Sequence, residues 1–289
     1  MRLLIFGAKG QVGYELCRLS GLDGMDILGL AREDADITQP AEVDQAVGAS
    51  RCDAVINAAA YTAVDRAETD SATAYTVNQD GAGNVACAAA HHGVPVVQLS
   101  TDYVFDGLKR GSYVEDDPVA PLSVYGASKA AGEQAVRVAH DRHIILRTSW
   151  VFGTQGHNFV RTMLQLAEKR EAIGAVDDQW GCPTAAAELA RSVTRLCHQL
   201  GPETWGTYHF CGAGRTTWFR FACEIFDQRA RITGVAPPHL RPLAATECAT
   251  GAQRPANSEL NCTRFTAVFG ISPRPWREGL AAMLEKLLT

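Results

Sequence analysis

Long apolar runs, a basic surplus and paired cysteines are all missing from this 289-residue chain. No uninterrupted hydrophobic stretch reaches the roughly 20 residues that a membrane-spanning helix needs. The opening MRLLIFGAKG sets only four apolar residues in a row before a glycine loop, too few for a signal peptide, so a cytoplasmic location is expected. Lysine and arginine together number 27 against 32 acidic residues, and the net charge of −5 argues against a non-specific nucleic-acid binder. A local basic pocket for a phosphorylated small molecule is still allowed. The nine cysteines form no C-x-x-C pair and no cluster with histidine at metal-like spacing, so they read as reduced, mostly buried thiols, and no metal is assigned. Internal repeats and low-complexity tracts are absent too. The length suits one large domain or two intimately connected ones.

What is present is an alternation of short apolar runs and longer helical patterns. Candidate strands are RLLIF (2–6), DILGL (26–30), AVINAA (54–59), PVVQLS (95–100) and HIILRTS (143–149). They are continuously apolar, as strands covered on both faces must be. Helices are expected at 11–20, 41–48, 71–92 and 125–140. This alternation predicts an α/β fold with a doubly wound parallel sheet. Residues 1–150 would form the dinucleotide-binding domain, with the chain returning to it at about 184–213, and 151–289 would form mainly a smaller substrate lobe. In that second part helices are expected at 158–171, 185–200, 217–231 and the C-terminus, and a strand at 207–212. The proline-broken stretch 234–247 reads as loop or short edge structure.

GAKGQVG places Gly7, Gly10 and Gly13 between the first strand and the first helix. A pyrophosphate needs such a loop for a tight turn, close backbone approach and free amides at a helix N-terminus. The tip of the second strand carries Arg32, where positive charge suits the 2′-phosphate of NADPH. Glu33 and Asp34 follow at once, so NADH use and a plain surface role for Arg32 stay open.

Tyr125 and Lys129, in SVYGASKAAGE, lie four residues apart on one helix face. An ammonium beside the phenol is expected to lower its pKa from about 10, making Tyr125 a proton donor to a carbonyl oxygen. The small neighbours at 126–128 and 130–132 are expected to leave room for cofactor and substrate. LSTDYVFDG ends a strand in hydroxyls, and Thr101 is placed to polarise the same carbonyl.

Together GAKGQVG, NAAAYT, NQDGAGNVACAAA, STDYVF and YGASK resemble an extended short-chain dehydrogenase/reductase. Within that superfamily GQVGYEL, AAAYTAVDRAE, RTSWVFG, DDQWGCPT and RPANSEL are similar to the dTDP-4-dehydrorhamnose reductases, from residue 7 to about 260. The resemblance implies NAD(P)H-dependent reduction of the C4 keto group of dTDP-6-deoxy-L-lyxo-4-hexulose to dTDP-L-rhamnose, a polysaccharide and O-antigen precursor. It places Gly10, Gln11 and Val12, then Asp36 and Ile37, then Ala60, Tyr61 and Thr62 on the cofactor. It assigns catalysis to Tyr125, Lys129 and Thr101, and substrate contact to Thr101, Asp102 and Trp150. Arg254 is the candidate for the nucleotide pyrophosphate, with an intramolecular ion pair as the alternative. Some members dimerise around magnesium held by glutamates. Glu15 sits where one such ligand lies; a homodimer stays open on this resemblance, and magnesium is not assigned.

Two rival readings are open. A 4,6-dehydratase or epimerase of the same superfamily is one, although dehydratases carry Asp-Glu after the threonine and this chain has Asp102-Tyr103. A non-catalytic NADP-binding regulatory subunit is the other, and it would not need Tyr125, Lys129 and Thr101 intact.

Overall fold

The computed structural model describes residues 1–248 and 250–289. Five of the expected strands form where the apolar runs lie: β1 (Arg2–Phe6), β2 (Asp26–Leu30), β3 (Ala54–Asn57), β4 (Val96–Thr101) and β5 (His143–Thr148). Further on come β6 (Ala172–Val176), β7 (Gly206–His209) and β8 (His239–Leu243). The central sheet is six-stranded in the order β7-β5-β4-β3-β1-β2, and every pairing in it is parallel.

Both faces of this sheet are covered, which is why β1 shows no polar alternation. Leu3 and Ile5 face one core with Leu189, Val193 and Phe265, while Leu4 and Phe6 face the other with Val43, Val85 and Val136. The helices supplying these layers are α1 (Gln11–Cys17), α2 (Pro40–Ser50), α3 (Gly81–His91), α4 (Val124–Ala139) and, later, α6 (Ala186–Cys197). A third core gathers Phe152, Met163, Ile173, Phe221, Trp276 and Leu280. It lies among α5 (Phe159–Ala167), α7 (Trp218–Thr233) and α9 (Trp276–Leu288).

Several expectations need correction. The helix expected at 71–92 forms but is not regular: a π-helical stretch at Thr76–Asp80 joins the short α-helix Ser71–Tyr75 to α3. The strand β6 and the short helix α8 (Thr263–Phe269) were not foreseen. The proline-broken stretch gives the short edge structure that was one of its two expected readings: β8 runs parallel to β6 in a separate two-stranded sheet and so tolerates Pro242 at an edge. The nine thiols are free, but only Cys52, Cys182, Cys197 and Cys211 are buried, and Cys87 is exposed. No helix among the described residues is long and apolar enough to cross a membrane.

One buried ion pair ties the sheet to α4. Glu133 accepts from Arg147 Nε at 2.8 Å and Nη2 at 2.7 Å, from Ser100 Oγ at 2.6 Å and from Arg137 at 3.0 Å. Arg147 belongs to β5 and Ser100 to β4, so one carboxylate joins a helix to two strands. Opposing the burial, Arg147 and the Ser100 hydroxyl hold the Glu133 carboxyl below the ordinary range. Breaking such a pair from one side strands the other charge. Glu133→Ala is therefore expected to cost about 3–5 kcal/mol in urea unfolding, and a loss below about 1 kcal/mol would contradict the role given to the pair.

Candidate active site

The strand order passes from β2 through β1 to β3, and the crevice where strand order reverses in such sheets lies at the carboxyl ends of β1 and β3. A cavity of about 960 Å³ opens there. Its wall brings together Gly7, Gly10, Gln11, Val12, Arg32, Asp36 and Ile37 from the first two strand ends, with Ala60, Tyr61 and Thr62 beyond β3. Thr101, Asp102, Tyr125, Lys129 and Trp150 line the same space. Gly13, Glu15 and Arg254, also singled out from sequence, are absent from this wall.

Gly7 makes the turn at φ +86°, and a Cβ there would lie 2.5 Å from the Ala59 amide nitrogen. Glycine is therefore dictated by the contact between the loops after β1 and β3. Gln11 reaches the other way: its Oε1 accepts from Asn158 at 3.0 Å, at the start of α5. Arg32 donates to Asp36 at 2.9 Å and remains largely exposed, and Lys9 pairs with Glu33 beside it. Burial works against it, but Thr38 and Arg32 together hold Asp36 below the ordinary carboxylate range. Ile37 packs against Gly81 and also lines the cavity.

The catalytic candidates are carried by β4 and α4. Ser123 caps α4 by accepting from the Gly126 amide at 3.1 Å, so Tyr125 stands in the first turn. The small residues around it serve a different purpose from the one expected. A Cβ on Gly126 would come within 2.2 Å of the Tyr103 carbonyl oxygen, and one on Gly132 within 2.0 Å of the Asn78 carbonyl oxygen. Ser128 accepts from Asn78 Nδ2 at 2.9 Å and Ala130 packs into a neighbouring core. Smallness here brings α4 close to its neighbours rather than leaving space for ligands.

Lys129 is buried, and its ammonium donates to the Leu99 carbonyl at 2.7 Å. Desolvation brings it down to about 8, with Glu133 opposing. The phenol of Tyr125 departs from expectation: desolvation pushes it up to about 12, a hydrogen bond with the Thr101 side chain lowers it, and Asp102 raises it again. What counteracts burial is thus the threonine hydroxyl, while the ammonium is turned toward the strand. The Thr101 hydroxyl also donates to Asp102 Oδ1 at 3.1 Å and accepts from the Tyr103 amide at 3.2 Å.

Asp102 is 2 % exposed and is pushed up to about 7 by desolvation, with Ser258 and Thr101 nearby favouring its charged form. Its Oδ2 has no hydrogen-bond partner, the mark of a carboxyl awaiting a ligand or holding its own proton. Trp150 sits at φ +46°, a costly backbone for an indole residue. Its ring stacks on Trp218 at 3.5 Å and 6°, and a Cβ on Gly181 would collide with it. Arg254 makes the ion pair that the sequence left open, donating to Asp65 at 2.9 Å, while its Nη1 is buried without a partner. Its charge also lies close enough to Tyr103 to oppose the desolvation and the Asp102 charge that raise that phenol. Glu15 is engaged with Arg18 at 3.4 Å.

Two residues escaped the sequence reading. Asn78, in the π-helical stretch, accepts from the Tyr61 amide at 2.8 Å and donates back to its carbonyl at 3.0 Å, fixing the loop that carries Ala60–Thr62. Its place inside NQDGAGN was the available signal. Tyr103 packs edge-on against Tyr125 at 5.9 Å.

A phenol, a buried ammonium and a strand-end hydroxyl at the switch point of a doubly wound sheet define a Rossmann-type oxidoreductase. The model of the RmlD substrate binding domain family matches residues 1–289. A dTDP-4-dehydrorhamnose reductase of Sinorhizobium fredii is 39% identical over 100% of this chain and 98% of its own length. The crystal structure of the Clostridium acetobutylicum dTDP-4-dehydrorhamnose reductase superposes with a TM-score of 0.93 at 35% identity, covering 100% of both chains. That of the Bacillus anthracis enzyme, in complex with NADP, gives 0.91 at 38% identity over 99% of each. The chain belongs to the dTDP-4-dehydrorhamnose reductase family.

Between about pH 4 and 7 folded Asp102 keeps a proton that the unfolded chain releases, so this residue makes stability fall as pH rises through that window. Asp102→Asn is expected to remove that loss. Urea midpoints at about pH 5 and about pH 8 should then diverge less than in the wild type; equal divergence would contradict a buried protonated Asp102.

Proposed function

We propose that the chain reduces the C4 keto group of dTDP-6-deoxy-L-lyxo-4-hexulose with NADPH, giving dTDP-L-rhamnose. The observation that supports this reading is that Tyr125, Lys129 and Thr101 line the same cavity as the Gly7–Val12 loop. A cavity of about 960 Å³ lined by both the glycine loop and these groups has room for a dinucleotide together with a sugar. Gly10, Gln11 and Val12 would hold the pyrophosphate, Arg32 and Lys9 the 2′-phosphate, and Ala60–Thr62 the nicotinamide side. NADPH, when bound, supplies the hydride.

Every other part of the step falls to the chain. Tyr125 holds a proton at the C4 oxygen, because burial keeps the phenol neutral across the physiological range. Thr101 shares that oxygen and steadies the charge developing on it. Lys129, held by the Leu99 carbonyl, would hold the nicotinamide ribose of the bound cofactor. Asp102 and Trp150 orient the sugar. Arg254 would exchange Asp65 for the nucleotide phosphates, using the unpartnered Nη1.

Tyr125→Phe tests the assignment. Turnover, followed as loss of NADPH absorbance with the 4-keto sugar nucleotide, should fall by about 10²–10⁴-fold while NADPH affinity stays within a few-fold. Unchanged turnover would remove Tyr125 as the acid, and no NADPH consumption by the wild type would remove the reductase reading itself.

A further inference from the structure

Away from the cavity, three cysteines meet in a small core with Val104, Phe105, Tyr113 and Leu260. Cys211 lies two residues beyond β7, at the edge of the central sheet, and Cys262 immediately precedes α8. Their sulfurs stand 3.6 Å apart. The Cys211 amide also donates to Cys262 Sγ at 3.3 Å, so both side chains are held facing each other by the backbone around them. A separate cleft of about 490 Å³, lined by Cys182, Cys211, Glu259 and Cys262, opens onto the pair. Cys262 is half-buried and Cys211 is buried.

We propose that Cys211 and Cys262 are a reversible oxidative modification site, converted by a peroxide into a disulfide that staples the chain ahead of α8 to the sheet edge. The chemistry divides between the two sulfurs by their access. Cys262, the more exposed, attacks peroxide as its thiolate. The O–O bond breaks, a sulfur–oxygen bond forms, and hydroxide leaves as water, giving a sulfenic acid. Cys211 then attacks that sulfur as thiolate, the S–O bond breaks, and a second water departs. Two thiols lose two electrons and two protons, and one peroxide becomes two waters. Hydrogen bonding with the Cys182 and Cys262 thiols, together with burial, pushes Cys211 up, so it is not the sulfur that meets peroxide first; it gives up its proton only as the bridge closes on the adjacent sulfenic acid.

The required movement is small. The sulfurs close from 3.6 Å to roughly 2.0 Å, within reach of rotation about the two side chains. The bridge closes a 51-residue interval, and the stretch leading into Cys262 includes Arg254 and Ser258, so oxidation would restrain the segment that pairs with Asp65 and Trp180.

The test uses the full-length reduced protein exposed to hydrogen peroxide. Remaining thiols are alkylated and the digest is mapped without reduction. A single joined peptide pair containing residues 211 and 262, reversed by dithiothreitol, is the expected result. The oxidised wild type should also unfold several degrees higher, with no such rise in Cys262→Ser. Recovery of both residues as alkylated thiols once exposed Cys87 is oxidised would overturn the proposal. So would a bridge from Cys182 to Cys211, or a fall in the unfolding temperature on bridging.

Discussion

Glu133 and Arg147 hold each other in the interior, and the geometry of the cavity depends on them. Both side chains are almost fully buried; Arg147, Ser100 and Arg137 satisfy Glu133, and Arg147 also reaches the Glu115 carbonyl and His209. Because Ser100 precedes Thr101 on β4 and Glu133 lies one turn beyond Lys129 on α4, the pair sets the distance between the strand-end hydroxyl and the helix that carries the phenol. An apolar contact of equal size could match it in stability, but would slide more easily. Gly126 and Gly132 then allow the helix to settle at backbone contact, where any side chain would hold it away.

That close approach has an electrostatic consequence. Packed this tightly, Tyr125 and Lys129 lose solvent, and desolvation moves their pKa values apart, the phenol up to about 12 and the ammonium down to about 8. Each group thereby favours its neutral form. For the role proposed for Tyr125 this is the useful direction, since a proton donor must carry its proton when the carbonyl oxygen becomes negative. Asp102 follows the same rule, its proton retained to about 7 against the charge that Thr101 and Ser258 favour. One physical effect, burial of the strand tip, prepares three titratable groups.

The sheet was legible because strands covered on both faces write themselves as unbroken apolar runs, and RLLIF and VVQLS did so. The glycine turn and the tyrosine–lysine spacing were equally open to reading, since both depend on neighbours within seven residues. Less local features were not. The π-helical stretch at Thr76–Asp80 exists where Asn78 meets Gly132 and Tyr61, contacts that cross more than fifteen positions of the chain. Strand β6 has only the distant β8 as partner. The phenol's pKa was misjudged for the same reason: spacing shows that a lysine is near, but not that its ammonium has been spent on the Leu99 carbonyl. Arg254 carried two readings, and its ion pair with Asp65 is the one the structure displays.

The central claim is that burial keeps the Tyr125 phenol protonated, and the direct measurement is its own titration. With tyrosine labelled with carbon-13 at Cζ and Tyr125→Phe used to assign the signal, the resonance of Tyr125 should stay in its neutral form well past the free phenol value of about 10. An inflection below that value would contradict the account, because the lysine rather than the missing solvent would then govern the acid.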